Sequence, residues 1–142
     1  MMTMRRTAQA GFTLGEIMIA IAIIAIMAAV AGPYLMGYLK KARIQSTKTT
    51  LRNVQTALQQ FNVDMNQYPE TLKDLIKKPA DEALANKWVA PYLQGSDVPS
   101  DGWGNKFHYE LTQGQEHPYE LYSYGPDGKG SKEGRISIWS LE

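Results

Sequence analysis

Residues 11–39 read GFTLGEIMIAIAIIAIMAAVAGPYLMGYL, and this stretch decides how the chain folds. Its last 23 residues, Ile17–Leu39, include no charged side chain. A helix of that length would be about 34 Å long at the usual rise per residue. The hydrocarbon core of a bilayer is about 30 Å thick. The stretch therefore predicts a helix that spans a membrane.

The remainder of the chain is polar, and its charge is unevenly distributed. Residues 1–63 carry seven of the 15 basic residues and one acid, whereas residues 64–142 carry eight basic residues and 13 acids. The net charge of the 142 residues is only +1, which argues against a general nucleic-acid binder. The chain has no cysteine, which excludes a disulfide, a thiolate zinc site and a cysteine nucleophile. The length suits one domain.

The residues before the apolar run include Arg5 and Arg6 and therefore resemble the basic start of a secretory signal peptide. The apolar run is longer than the 7–15 residues or so of a signal peptide, so we expect the helix to be retained. Lys40, Lys41 and Arg43 follow the helix. By the count of basic residues alone, the positive-inside rule slightly favours a cytoplasmic location for the C-terminal side.

Helical periodicity continues beyond the apolar run as a stripe with spacings of three and four residues. The stripe consists of Leu51, Val54, Leu58 and Phe61. We predict one helix from Phe12 to about Phe61, with a kink or unwound turn at Gly32–Pro33, because proline removes a helical hydrogen bond.

The second half predicts a short helix and a small sheet. The helix is expected at Thr71–Lys78, with Leu72, Leu75 and Ile76 facing inward, followed by a loop-rich segment at Ala80–Gly102. Strands are expected at Lys106–Leu111, Tyr119–Tyr124 and Arg135–Leu141, with a turn at Pro126–Gly130. Three short strands are not stable alone, so the sheet should pack on the helical stripe. The predicted class is α+β.

Glu16 is the unusual residue, since it is the only charge between Arg6 and Lys40. An isolated acid deep in a bilayer costs roughly 2.5–3.5 kcal/mol on insertion scales, which makes it a functional candidate. The alternative is that Glu16 lies near enough to the interface to stay solvated.

The segment Gly11–Glu16 with the apolar run resembles the class III signal of type IV pilins and type II secretion pseudopilins. The resemblance implies that a prepilin peptidase cuts between Gly11 and Phe12 and methylates the new amino group of Phe12. Arg5 and Arg6 match the basic leader on the cytoplasmic side, which would place the C-terminal part outside. Glu16 matches the acid at the fifth mature position.

This resemblance implies an assembly mechanism. The new amine at Phe12 would lie one helical turn from Glu16, and the two can interact within one subunit. In a bundle of helices, the Phe12 amine of one subunit would instead pair with Glu16 of a neighbour, and the pairing would determine the rise between subunits. Breaking one partner of a buried pair costs about 3–5 kcal/mol. Pro33 would let the helix unwind as subunits pack, although it is equally compatible with a harmless transmembrane kink. Gly15 departs from the family, where a bulky apolar residue is usual.

The soluble half narrows the resemblance to the major pseudopilins of type II secretion. The motifs occur in the family's order at 68–69, 72–79, 91–93, 98–111 and 122–130. Asp101–Asn105 and the turn at Gly125–Gly128 are the most specific. The absence of cysteine fits this family better than type IV pilins, which usually carry a C-terminal disulfide loop.

The resemblance implies a lollipop-shaped, pilin-like fold with three parts: a leader at 1–11, a transmembrane and polymerisation helix at 12–39, and a periplasmic domain at 40–142. It implies a non-enzymatic, single-pass inner-membrane subunit that forms a homopolymer, a periplasmic fibre that drives export of folded proteins. The implied partners are minor pseudopilins, the prepilin peptidase and the inner-membrane assembly platform. Two alternatives stay open: a type IV pilin of a surface fibre, and a membrane-anchored periplasmic binding or enzyme domain that never polymerises.

Calcium is the one cofactor that the resemblance implies, in the loop between the last two strands. Asp127 is the first candidate ligand and Glu133 the second. Calcium takes six to eight oxygen ligands, but Lys129, Lys132 and Arg135 place positive charge in the same loop. The alternative is that Asp127 is a turn residue in Pro-Asp-Gly.

Overall fold

A computed structural model describes residues 11–89, 91–112, 115–131 and 133–141. The chain divides into two compact units, with the boundary between Leu39 and Lys40. The second unit is called the head domain below. The helices are α1 (Leu14–Met65) and α2 (Glu82–Lys87), and the strands are β1 (His108–Leu111), β2 (Tyr119–Ser123) and β3 (Ile136–Ser137). Single 3-10 turns lie at Leu72–Leu75, Gly125–Asp127 and Ile138–Ser140.

Helix α1 starts two residues later and ends four residues later than the sequence predicts. Asn66, at φ 58°, adopts the left-handed conformation that commonly terminates helices. The unwound turn predicted as one possibility at Gly32–Pro33 is wrong, because Pro33 lies inside the helix and the residues on both sides of it are helical. The other possibility, a kink, stays a prediction. Proline lacks a single N–H donor, and the loss of that one bond leaves the flanking turns formed.

The sheet is antiparallel throughout, with strand order β1-β2-β3. Tyr122 lies in the middle, opposite His108 on one side and Ser137 on the other. The predicted third strand is wrong in length, since it ends at Ser137 and continues as a 3-10 turn. The chain turns there because the Ser137 hydroxyl accepts from the Trp139 N–H at 3.3 Å and the Trp139 indole donates to the Tyr119 carbonyl at 2.9 Å.

The core of the head domain forms where the predicted stripe of α1 meets the sheet and the following turns. Leu51, Val54, Leu58 and Phe61 are all fully buried. They pack in one cluster with Leu72, Leu75 and Ile76, the residues predicted to face inward, and with Leu121 of β2. The predicted packing of the sheet on the stripe is therefore confirmed.

Two short helical segments differ from the prediction. Residues predicted as a helix at 71–78 form only one 3-10 turn at Leu72–Leu75. The Leu75 carbonyl accepts instead from the N–H groups of Tyr92 and Leu93, at 2.7 and 3.1 Å, and Pro79 has no N–H to donate to it. In the segment predicted to be loop-rich, α2 forms instead. Its N-cap Asp81 accepts hydrogen bonds from the N–H groups of Ala83 and Leu84 at 2.8 and 3.0 Å, which is a strong start for even a short helix.

Candidate processing and assembly site

The bond predicted to be cut lies in non-helical chain immediately before α1. Residues 11–13 have no regular secondary structure, and Phe12 is 85% exposed. Accessible, irregular backbone of this kind is where peptidases act most readily. The basic leader residues Arg5 and Arg6 lie outside the described residues.

Thr13 and Glu16 form a reciprocal cap on the first turn of α1. The Glu16 Oε2 atom accepts from the backbone N–H of Thr13 at 2.8 Å and from its hydroxyl at 3.0 Å. In return, the Thr13 hydroxyl accepts from the Glu16 N–H at 3.2 Å. The Thr13 carbonyl accepts the first helical bond, from Ile17, at 3.3 Å. This arrangement is a capping box, which satisfies two backbone donors that the helix itself leaves unpaired.

Thr13 is a site residue that the sequence prediction did not name. Its signal is local, because a threonine followed three residues later by glutamate and then by an apolar run is typical of a helix start. The carboxylate of Glu16 therefore has a structural role in the single subunit, in addition to the predicted role between subunits.

The cap leaves part of the carboxylate available. Both hydrogen bonds from Thr13 go to Oε2, and among the described residues Oε1 accepts none. An ionised carboxylate can accept at both oxygens, so Oε1 can take a further cationic donor while the cap stays closed. Phe12 is the residue next to Thr13, which places the predicted new amine beside this carboxylate.

Pro33, the third residue predicted to act in assembly, lies apart from this pair. It follows Glu16 by 17 residues, which corresponds to about 26 Å along a helix axis. The side chains between them are apolar and exposed, and α1 is long and apolar enough to cross a membrane by length and composition. Phe12 and Glu16 therefore lie near each other at the start of α1, and Pro33 lies at a separate position on the same helix.

The Asp101–Asn105 segment contacts the part of α1 that lies within the head domain. The Gly102 N–H donates to the Thr47 hydroxyl at 2.9 Å, and that hydroxyl donates to the Arg43 carbonyl at 2.8 Å. A Cβ at Gly102 would lie 2.5 Å from the Arg43 carbonyl oxygen. Only glycine allows this close approach of loop and helix backbones.

The carboxylate of Asp101 is buried at the centre of the same segment. It accepts from the N–H groups of Trp103 at 3.0 Å and Asn105 at 2.8 Å, and from the hydroxyl of Ser123 on β2. These hydrogen bonds to the Asp101 carboxylate offset the free-energy cost of removing it from water. The segment therefore has a structural role: it fastens the sheet to the helix.

Asp127 and Glu133, the predicted calcium ligands, are both exposed. Asp127 ends the 3-10 turn at Gly125–Asp127. Within the ranges that the structure describes, no three His, Asp or Glu side chains come together as a metal site would require. Calcium binding at these two residues is not confirmed.

The fold and the N-terminal segment define a class of protein, a pilin-like subunit with an N-methylation signal. Residues 6–32 match the family model of the prokaryotic N-terminal methylation motif, and residues 34–139 match the model of type II secretion system protein G. The chain belongs to the type II secretion system protein G family, the family of major pseudopilins.

Individual relatives agree with the family assignment. The type II secretion system core protein G of Pseudomonas aeruginosa is 37% identical over 89% of both chains. The protein of the same name from Escherichia coli K12 is 38% identical, over 94% of this chain and 92% of the relative. The crystal structure of the major pseudopilin from the type 2 secretion system of enterohaemorrhagic Escherichia coli superposes with a TM-score of 0.62 and 29% identity, covering 75% of this chain and 95% of that one.

These findings confirm the predicted pilin-like α+β fold and favour type II secretion over a surface type IV pilin. The family consists of structural pseudopilin subunits rather than known enzymes. The apolar N-terminal helix is consistent with a membrane anchor.

Proposed function

We propose that this chain is the main subunit of a type II secretion pseudopilus, a periplasmic fibre whose growth drives export of folded proteins across the outer membrane. The observation that carries the proposal is that one chain matches two family models in sequence. The methylation motif matches residues 6–32, and the protein G family model matches residues 34–139.

The first step of the proposed mechanism is processing. A prepilin peptidase cuts between Gly11 and Phe12 and methylates the Phe12 amine. The exposed, non-helical backbone at residues 11–13 supports this, because the scissile bond need not be extracted from a helix. The leader residues Arg5 and Arg6 stay on the cytoplasmic side and keep the head domain in the periplasm.

The second step is assembly, in which the exposed apolar side chains of Ile17–Leu39 leave the bilayer for a bundle of equivalent helices. The Phe12 amine of one subunit pairs with Glu16 of its neighbour, using Oε1 while Thr13 occupies Oε2. The pairing neutralises two charges in apolar surroundings, where a single unpaired charge is costly. Pro33 gives the helix a weakened turn at which it can adjust on packing.

The proposed partners follow from these steps. They are further copies of this chain, minor pseudopilins, the prepilin peptidase and an inner-membrane assembly platform. The proposed role of the chain is structural, so it performs no chemistry on the proteins that are exported.

Deletion of the gene, followed by complementation, tests the proposed function. We expect deletion to abolish release of exoproteins and to leave twitching motility intact, with wild-type chain restoring secretion and Glu16→Ala failing to do so. Normal secretion with lost twitching in the deletion strain would instead identify a type IV pilin. Normal secretion and twitching together would contradict both functions.

A further inference from the structure

The loop between β2 and β3 is where the family resemblance implies calcium, and its residues do not fit that ion. Calcium needs six to eight oxygens, most of them carboxylate or carbonyl. The two acids, Asp127 and Glu133, are exposed, and in the described part of the chain no three acidic or histidine side chains converge. The same loop carries the cations Lys129 and Arg135.

Arg135 reaches back across this loop. Its Nε–H donates to the Ser131 carbonyl at 3.0 Å. The guanidinium carbon lies 4.6 Å from the ring centroid of Tyr122 and 5.6 Å from that of Tyr124. Both distances are within the range of cation–π attraction. A carbonyl oxygen that could serve as a metal ligand is therefore already bonded to a side-chain cation.

The two ends of the loop lie against each other at the same point. Gly125 and Gly134 both have positive φ, at 74° and 75°, and a Cβ added to Gly125 would overlap the Gly134 carbonyl oxygen. The Ser131 hydroxyl donates to the Glu133 carbonyl at 2.9 Å. The backbone at Gly125 therefore contacts the backbone at Gly134, and Arg135 is the next residue in the chain.

The surface on which Arg135 rests is held firmly. Tyr122 is only 9% exposed, and the His108 ring stacks on it with centroids 4.5 Å apart. Tyr124 packs edge-on against Tyr122 at 5.2 Å. An arginine side chain loses little further freedom on such a platform, because its planar group stacks and donates hydrogen bonds at once.

We infer that Arg135 is the internal cation of this loop: its guanidinium, stacked on Tyr122 and bonded to the Ser131 carbonyl, closes the loop in place of a calcium ion. The head domain accordingly reaches its full stability without calcium. This inference concerns the fold of the head and stands whether or not the proposed function is correct.

Thermal unfolding of the full chain in detergent tests the inference. Near-ultraviolet circular dichroism is recorded with millimolar calcium chloride and with excess EGTA, for wild type, Arg135→Ala and Lys129→Ala. Lys129→Ala is the matched control, since it removes one positive charge from an exposed position of the same loop. Hydrogen exchange of the amides at 125–134 gives a readout confined to the loop.

We expect the wild-type Tm to be the same in calcium and in EGTA. Arg135→Ala should lower Tm by about 5 °C and speed exchange of the loop amides, as the loss of about 1 kcal/mol of cation–π and hydrogen-bond energy implies for a domain of this size. Lys129→Ala should leave both unchanged. A rise in the wild-type Tm with calcium, or equal Tm values for the two variants, would overturn the inference. The comparison of wild type in calcium and EGTA stands even if Arg135→Ala fails to fold.

Discussion

The carboxylate of Glu16 caps the helix that carries it, because Oε2 accepts the backbone N–H of Thr13 at 2.8 Å. The same bond holds the negative charge beside Phe12, the residue proposed to become the new N-terminus. Glu16, proposed to pair between subunits, thus also has a defined orientation within one subunit. Pre-orientation of this kind lowers the entropy lost when a neighbouring amine binds.

Two substitutions separate the charge of Glu16 from its capping role. Glu16→Gln keeps an oxygen that can accept from Thr13 but removes the charge, so we expect fibre assembly to be lost while membrane insertion and processing persist. Thr13→Ala keeps the charge and the backbone bond to Glu16 but removes both hydrogen bonds of the Thr13 hydroxyl. The loss should cost the first turn about 1 kcal/mol, so fibres should still form. Electron microscopy and shearing of fibres from overproducing cells measure both. Normal fibres from Glu16→Gln would show that the charge is not needed.

The contact between Gly102 and Thr47 predicts a specific loss of stability. Thr47→Val leaves the Gly102 N–H without its acceptor, which should lower the free energy of unfolding by about 1–3 kcal/mol. Thr49→Val is the control, because Thr49 is exposed and its hydroxyl only donates to the Gln45 carbonyl of its own helix, at 3.1 Å. Urea unfolding of the full chain in detergent measures the difference. Equal losses for the two variants would show that the loop contact adds nothing.

The burial of Tyr119 leads us to expect that the head domain loses stability at alkaline pH. Burial, with a smaller contribution from Tyr68, raises the pKa of Tyr119 to about 12, against about 10 in an unfolded chain. Between these values the unfolded state releases its proton first, so the stability present below pH 10 or so falls as pH rises towards 12.

The urea midpoint measured at about pH 9, below both pKa values, and at about pH 11.5, between them, tests this. Tyr119→Phe should show a smaller decrease than wild type, whereas Tyr38→Phe, whose ring is exposed on the apolar helix, should match wild type. A decrease of the same size in Tyr119→Phe would assign the alkaline effect to other groups.

The parts of the fold that depend on local pattern were predictable from the sequence. The stripe at Leu51, Val54, Leu58 and Phe61 predicted its own burial, since helical periodicity records which face is covered. The Thr13–Glu16 cap had an equally local signal. The unwound turn at Pro33 was wrongly predicted, because one missing donor weakens a helix without unwinding it.

Contacts between distant segments could not be predicted in this way. Thr47 and Gly102 are 55 residues apart, and nothing in either local pattern indicates that they meet. The early end of β3 depends on the bond from the Trp139 indole to Tyr119, 20 residues away. The stacking of Arg135 on Tyr122 likewise depends on the register of the sheet and could not be predicted from the sequence. The sequence indicated only that positive charge in the loop conflicts with the implied calcium.

The central claim is that the chain is processed between Gly11 and Phe12 so that the new amine can pair with Glu16. Mass spectrometry of the N-terminal peptide, with the protein extracted from membranes of cells that hold a prepilin peptidase, tests it most directly. The account predicts a chain that begins at Phe12 and carries one N-methyl group. A chain that still begins at Met1 or Met2 would contradict it and would favour a membrane-anchored domain that does not polymerise.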